Sequence, residues 1–146
     1  MCLQGSSALD TVFDARGTST SILRMFFAGT GQPPVDSHFG VFVDGICLRS
    51  AIAGPALGSG AAIWVQGPSS IRAGITNCTF FGNSIGIALD ASSANGPRDA
   101  TPSRCLVVNN TFFANAIGIW AFRTSGNSVD HAPAIVNNLF DHTAPP

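Results

Sequence analysis

Residues 75–90 read ITNCTFFGNSIGIALD, and the pattern returns at residues 107–122 as VVNNTFFANAIGIWAF. A third, shorter copy, IVNNLFDH, occupies residues 135–142. The copies start 32 residues apart (75 to 107) and then 28 apart (107 to 135). Asn77, Asn109 and Asn137 fall in register, as do Phe80, Phe112 and Phe140. The glycine of Ile85-Gly86-Ile87 comes back as Gly118 between Ile117 and Ile119. Self-similarity at this period marks supersecondary units that stack and share one core.

Inside a unit the apolar period is two, so the units are built of strands. The alternation turns Val107, Phe112, Ile119 and Ala121 inward and Val108, Phe113 and Trp120 outward. Asn109-Asn110 and Asn115 make the bends between three short strands. Asparagine suits a bend because it tolerates left-handed backbone angles and bonds its own backbone. Coils stacked about 4.8 Å apart let identical Asn side chains bond one another and let the Phe rings fill the interior. Cys78 stands opposite Asn110 and should be buried. Upstream, Ala62–Val65 matches Gly86–Leu89. Gly40–Val43 reads as the same Gly-Ile type of strand, and Asp44–Leu48 as the counterpart of Asn109–Phe113. Residues 1–36 are the least legible. They hold candidate strands at Thr11–Phe13 and Ile22–Ala28, and Arg24–Ala28 faintly echoes Thr111–Ala114. The chain thus divides into an N-terminal coil or cap (1–36), a repeat region (37–143) and a short tail (144–146). The fold class expected is all-β, a parallel solenoid of about four to five coils. The uncapped first copy and the half-length last one suggest a piece of a longer protein whose open ends would self-associate.

Composition agrees. All seven basic residues are Arg, all eight acidic residues are Asp, and Lys, Glu and Tyr are absent. Loss of Lys and Glu removes strong helix formers, while sixteen Gly and nine Pro favour turns. A net charge of −1 supplies no basic field for nucleic acid. No apolar run approaches the roughly 20 residues of a membrane helix. Cys2, Cys47, Cys78 and Cys105 fit no zinc spacing, and His38, His131 and His142 lack ligand partners. No cofactor or metal is implied. The triplets at Asn77 and Asn109 match the glycosylation signal but are by-products of the repeat.

The pattern I-x-N-[NC]-T-F-F-x-N-x-I-G-I resembles the repeat of right-handed parallel β-helix proteins, the pectate-lyase-like superfamily. The likeness covers residues 60–143 and, more loosely, 38–50. It implies a right-handed helix of coils and an extracellular or cell-surface location. Enzymes of this superfamily carry strand-borne acidic clusters, with an Asp-Asp pair or calcium-binding carboxylates beside an Arg. This sequence has no Asp-Asp pair, and no catalytic residue carries over.

Two coils are longer than three strands and their bends require. The surplus lies at residues 91–104 and 123–132, after equivalent strands, so both insertions should emerge on one face. They gather Asp90, Arg98, Asp99, Arg104, Arg123, Asp130 and His131. Trp64 and Trp120 should stack, with Ala88 between them, on the outside of the neighbouring strand ladder. Indole faces hold the apolar faces of sugars, and Arg binds carboxylates in pairs of hydrogen bonds. The partner expected is a poly- or oligosaccharide. The leading expectation is a non-catalytic scaffold segment of a larger secreted or cell-surface bacterial protein. The alternative is part of a polysaccharide lyase or hydrolase using the loop charges for acid–base work.

Overall fold

The structure, a computed structural model, describes residues 2–18, 21–26, 40–54, 59–66, 72–90, 105–122 and 133–141. These residues form fourteen strands and no helix. They are β1 (Cys2–Gln4), β2 (Val12–Asp14), β3 (Leu23–Phe26), β4 (Gly40–Asp44), β5 (Cys47–Arg49), β6 (Ala61–Gln66) and β7 (Arg72–Thr76). Then follow β8 (Thr79–Phe81), β9 (Ile85–Asp90), β10 (Leu106–Val108), β11 (Thr111–Phe113), β12 (Ile117–Phe122), β13 (Ala134–Val136) and β14 (Leu139–Asp141). Every third strand pairs in parallel, giving three sheets in the orders β1-β4-β7-β10-β13, β2-β5-β8-β11-β14 and β3-β6-β9-β12. The chain is therefore an all-β parallel solenoid, its described residues making four three-stranded coils and two strands of a fifth.

The corners explain the paired asparagines. Between the first and second sheets, Gly45, Asn77, Asn109 and Asn137 take positive φ, between 52° and 64°. Between the second and third sheets Ser50, Gly82 and Ala114 do the same. Left-handed angles are cheap for Gly and Asn and costly for other L-residues, so the first Asn of each pair is there for its backbone. The residue that follows turns into the interior: Ile46, Cys78 and Asn110 at one corner, Ala51, Asn83 and Asn115 at the other, all buried.

The inward asparagines form two ladders. At the first corner Asn110 Oδ1 accepts the Cys78 N–H at 2.9 Å, and Asn110 Nδ2 donates to Ile75 O at 2.9 Å and Asn138 Oδ1 at 3.0 Å. At the second, Asn115 Oδ1 accepts from the Asn83 N–H at 3.0 Å and from Asn83 Nδ2 at 2.9 Å. Asn83 Oδ1 in turn accepts the Ala51 N–H at 3.0 Å. Each side chain thus satisfies a buried amide and a buried carbonyl of the coil before it. Left unpaired, each such group costs about 1–3 kcal/mol.

The core is one column per strand. Phe80, Phe112 and Phe140 stack with centroids 4.7 Å apart and planes within 9°. Val43, Ile75 and Val107 face them from the first sheet, Ile63 and Ile87 from the third. The rings also dictate the glycines. A Cβ on Gly86 would lie 2.8 Å from the Phe112 ring, and one on Gly118 2.9 Å from the Phe140 ring.

Three alignments within the chain need correction. Gly40–Val43 does not repeat the Gly-Ile strand: β4 pairs with β7 of the first sheet, Val43 opposite Ile75. The bend directly after it at Gly45, matching Asn77, identifies the strand better than its leading glycine does. The next segment is displaced by one residue, because Leu48 pairs with Phe80 and so falls in the Phe112 column. Arg24 pairs with Trp64 in the third sheet, so its segment is no counterpart of Thr111–Ala114. The Phe-Phe echo there is coincidental.

Candidate functional site

The outer face of the third sheet carries the aromatic ladder. Trp64 pairs with Ala88, and Ala88 with Trp120, one rung apart each. Ile85 belongs to the apolar patch on this face and Ile87 to the core, and neither neighbouring strand pairs in register with Gly86 between them. Ala61, Ile85 and Ala88 form an apolar patch outside the core, and both indoles pack against it. Ala88 is wholly buried although its side chain points outward. The two rings therefore close over the alanine between them and are themselves partly covered.

Arg24 joins this face one rung below Trp64. Its guanidinium carbon sits 4.4 Å from the Trp64 ring centroid, a cation–π contact. Sequence reading missed Arg24, since the strand that carries it had no legible place in the repeat. The available signal was the alternation Leu23-Arg24-Met25, which matches Ile63-Trp64-Val65. Trp64 Nε1 is enclosed and meets no hydrogen-bond partner among the described residues. A buried indole N–H ordinarily finds an acceptor.

Asp90 ends β9, paired with Gln66 below and Phe122 above. Arg98, Asp99, Arg104, Arg123, Asp130 and His131 lie outside the described residues. The strands do fix where their segments begin and end. β9 and β12 are neighbouring rungs of the third sheet, β10 and β13 of the first. Both insertions therefore follow a strand of the third sheet and precede a strand of the first.

Strand-borne carboxylates are dispersed. Asp14 is bonded to Arg49 at 2.9 Å on the second sheet. Asp44, on the first, accepts from Thr76 Oγ1 at 2.6 Å, Asn77 Nδ2 at 2.8 Å and Gln4 Nε2 at 3.3 Å. Hydrogen bonds from Thr76 and Asn77 hold Asp44 below its ordinary pKa. The Arg16 backbone amide, aided by Arg49, does the same for Asp14. Both are tuned toward the permanent anion, the reverse of what a general acid needs. Among the described residues no two carboxylates occupy neighbouring rungs, and no three His, Cys or Asp cluster as a metal site. Burial pushes the Cys78 thiol up to about 11 and the Cys105 thiol up to about 12, so both stay protonated.

No protein-family model, curated protein or solved structure was found to match the chain.

Proposed function

We propose that this chain is a non-catalytic scaffold segment of a larger secreted or cell-surface bacterial protein, of the right-handed pectate-lyase-like β-helix kind. It holds a poly- or oligosaccharide against the outer face of its third sheet. The observation that carries this reading is the Arg24–Trp64–Ala88–Trp120 ladder, which sets two indoles and a guanidinium at rung spacing on a single face. Indoles offer flat apolar surface for pyranose C–H groups, and the guanidinium offers paired donors to a uronate carboxylate. The insertions at residues 91–104 and 123–132 follow β9 and β12, two strands of this sheet, and their sequences contain Arg98, Asp99, Arg104, Arg123, Asp130 and His131. The scattered strand aspartates, with Asp14 and Asp44 held toward the carboxylate by their hydrogen bonds, favour binding over bond cleavage.

Isothermal titration against a panel of plant and microbial polysaccharides, with and without calcium, tests the proposal. Weak binding is expected, lost in Trp120→Ala and reduced in Arg24→Ala, with no new reducing ends or unsaturated products. Binding that survives Trp120→Ala unchanged removes the aromatic face from the account. Products that disappear in Asp99→Ala or Arg123→Ala would instead make the chain part of a lyase or hydrolase.

A further inference from the structure

The second sheet presents a long outer flank. Its strands stack in the order β2-β5-β8-β11-β14. Their registers set two outward columns on either side of the buried Phe112 column. One runs Val12, Cys47, Thr79, Thr111, Leu139, and the other Asp14, Arg49, Phe81, Phe113, Asp141. Val12, Phe81 and Leu139 are all exposed, and the Phe81 and Phe113 rings stack at 5.4 Å. Opposite charges stand symmetrically about that ring pair. Arg49 lies one rung before Phe81, and Asp141 one rung after Phe113. Further coils would lengthen this flank rather than cover it, because coils add along the solenoid axis.

We propose that this flank is an isologous dimer interface, on which a second copy of the chain packs face to face with its solenoid axis reversed. A two-fold axis parallel to the strands, midway between β8 and β11, carries each outward column onto itself in reverse order. Phe81 then meets the partner's Phe113, Thr79 the partner's Thr111, and Arg49 the partner's Asp141. Each of these contacts occurs twice. Charge complementarity selects this register over its neighbours. An axis through β8 sets Asp14 against the partner's Asp141. An axis between β5 and β8 sets Arg49 and Asp14 against phenyl rings. Packing with the two solenoid axes parallel turns each column against the other one, so that Arg49 meets the partner's Cys47 and no opposite charges meet. Facing sheets lie about 10 Å apart, a gap that an Arg and an Asp span from opposite sides. Arg49 uses its Nε and Nη2 groups on Asp14. A guanidinium carries five N–H donors, enough for a second carboxylate. Five rungs span only about 20 Å, so the dimer is weak and concentration-dependent.

Sedimentation velocity on the full chain, over a wide range of concentrations, tests the proposal. The wild type is expected to pass from monomer to dimer. Arg49→Asp and Asp141→Arg should each weaken dimerisation at least about tenfold, because each sets like charges against one another twice per dimer. Both positions are exposed, so neither change touches the core. Mixing the two variants should restore the dimer, since one chain then offers two acids where the other offers two bases. Restoration also shows that both variants are folded, and far-UV circular dichroism of each alone checks this separately. A wild type that stays monomeric at every concentration overturns the proposal. So do single variants that dimerise as the wild type does, or a mixture of folded variants that dimerises no better than either alone. Growth past the dimer that neither substitution alters assigns the association to the ends of the solenoid, and overturns it as well.

Discussion

Asn110→Ala removes one rung of the first-corner ladder, and the structure gives its cost. The Cys78 N–H loses its acceptor and the Ile75 carbonyl loses a donor. Both groups belong to buried residues. At about 1–3 kcal/mol for each orphaned buried group, the two together cost roughly 2–6 kcal/mol. Asn138 Oδ1 keeps the Asn110 backbone N–H but loses Nδ2, at the cost of one ordinary hydrogen bond. A loss of about 3–5 kcal/mol is expected, a large share of the 5–15 kcal/mol that holds a typical domain folded. The neighbouring residue is the control. Asn109 is exposed and sits at φ 56°. Asn109→Ala should cost only about 1 kcal/mol of backbone strain, and Asn109→Gly almost nothing. Urea unfolding followed by far-UV circular dichroism measures all three. Equal losses at Asn109 and Asn110, or a loss under about 1 kcal/mol for Asn110→Ala, would refute the ladder.

Other expectations follow from the same geometry. Phe112→Ala, in the middle of the inner stack, should cost about 3–5 kcal/mol, while Phe113→Ala, in the outer stack with Phe81 at 5.4 Å, should cost about 1–2 kcal/mol. Urea midpoints that fall equally would contradict the inward and outward assignment. Ala114 holds φ 53° where the preceding coil has Gly82, so Ala114→Gly should raise stability by about 0.5–1 kcal/mol, read as a higher melting temperature. Asp44 has a folded pKa below its unfolded value, so its stabilisation is present above the unfolded pKa, about 4, and disappears as pH falls through the folded pKa. Asp44→Asn should accordingly lower the urea midpoint at pH 7 while shrinking the wild-type drop between pH 7 and pH 3.

The sequence made the third and fourth coils readable because they repeat each other at 32 residues, residue for residue, down to the Phe column and the Gly that makes room for it. It also placed Trp64, Ala88 and Trp120 on one ladder, since Ala62–Val65 keeps the hydrophobic order of Gly86–Leu89. The first two coils were harder for a physical reason. Their corners use Gly45, Ser50, Arg16 and Gly17 instead of asparagine, so the bend marker that sets the register vanishes while the strands stay generic. This is why Gly40–Val43 was placed on the wrong sheet and Arg24 was missed. Which asparagine of each pair turns inward was also illegible, because that depends on which one takes left-handed angles. Asp44, with its three donors, has no motif at all. Its partners, Gln4 and Asn77, meet it only once the coils stack.

The parallel coil-on-coil register is the claim on which everything else rests, and nuclear Overhauser contacts in solution test it directly. The account predicts interstrand contacts between Phe80 and Phe112 neighbours, 32 residues apart (80 to 112), and between Phe112 and Phe140 neighbours, 28 apart (112 to 140). Strong Hα–Hα contacts between sequence-adjacent strands such as β10 and β11, the mark of antiparallel hairpins, would contradict it.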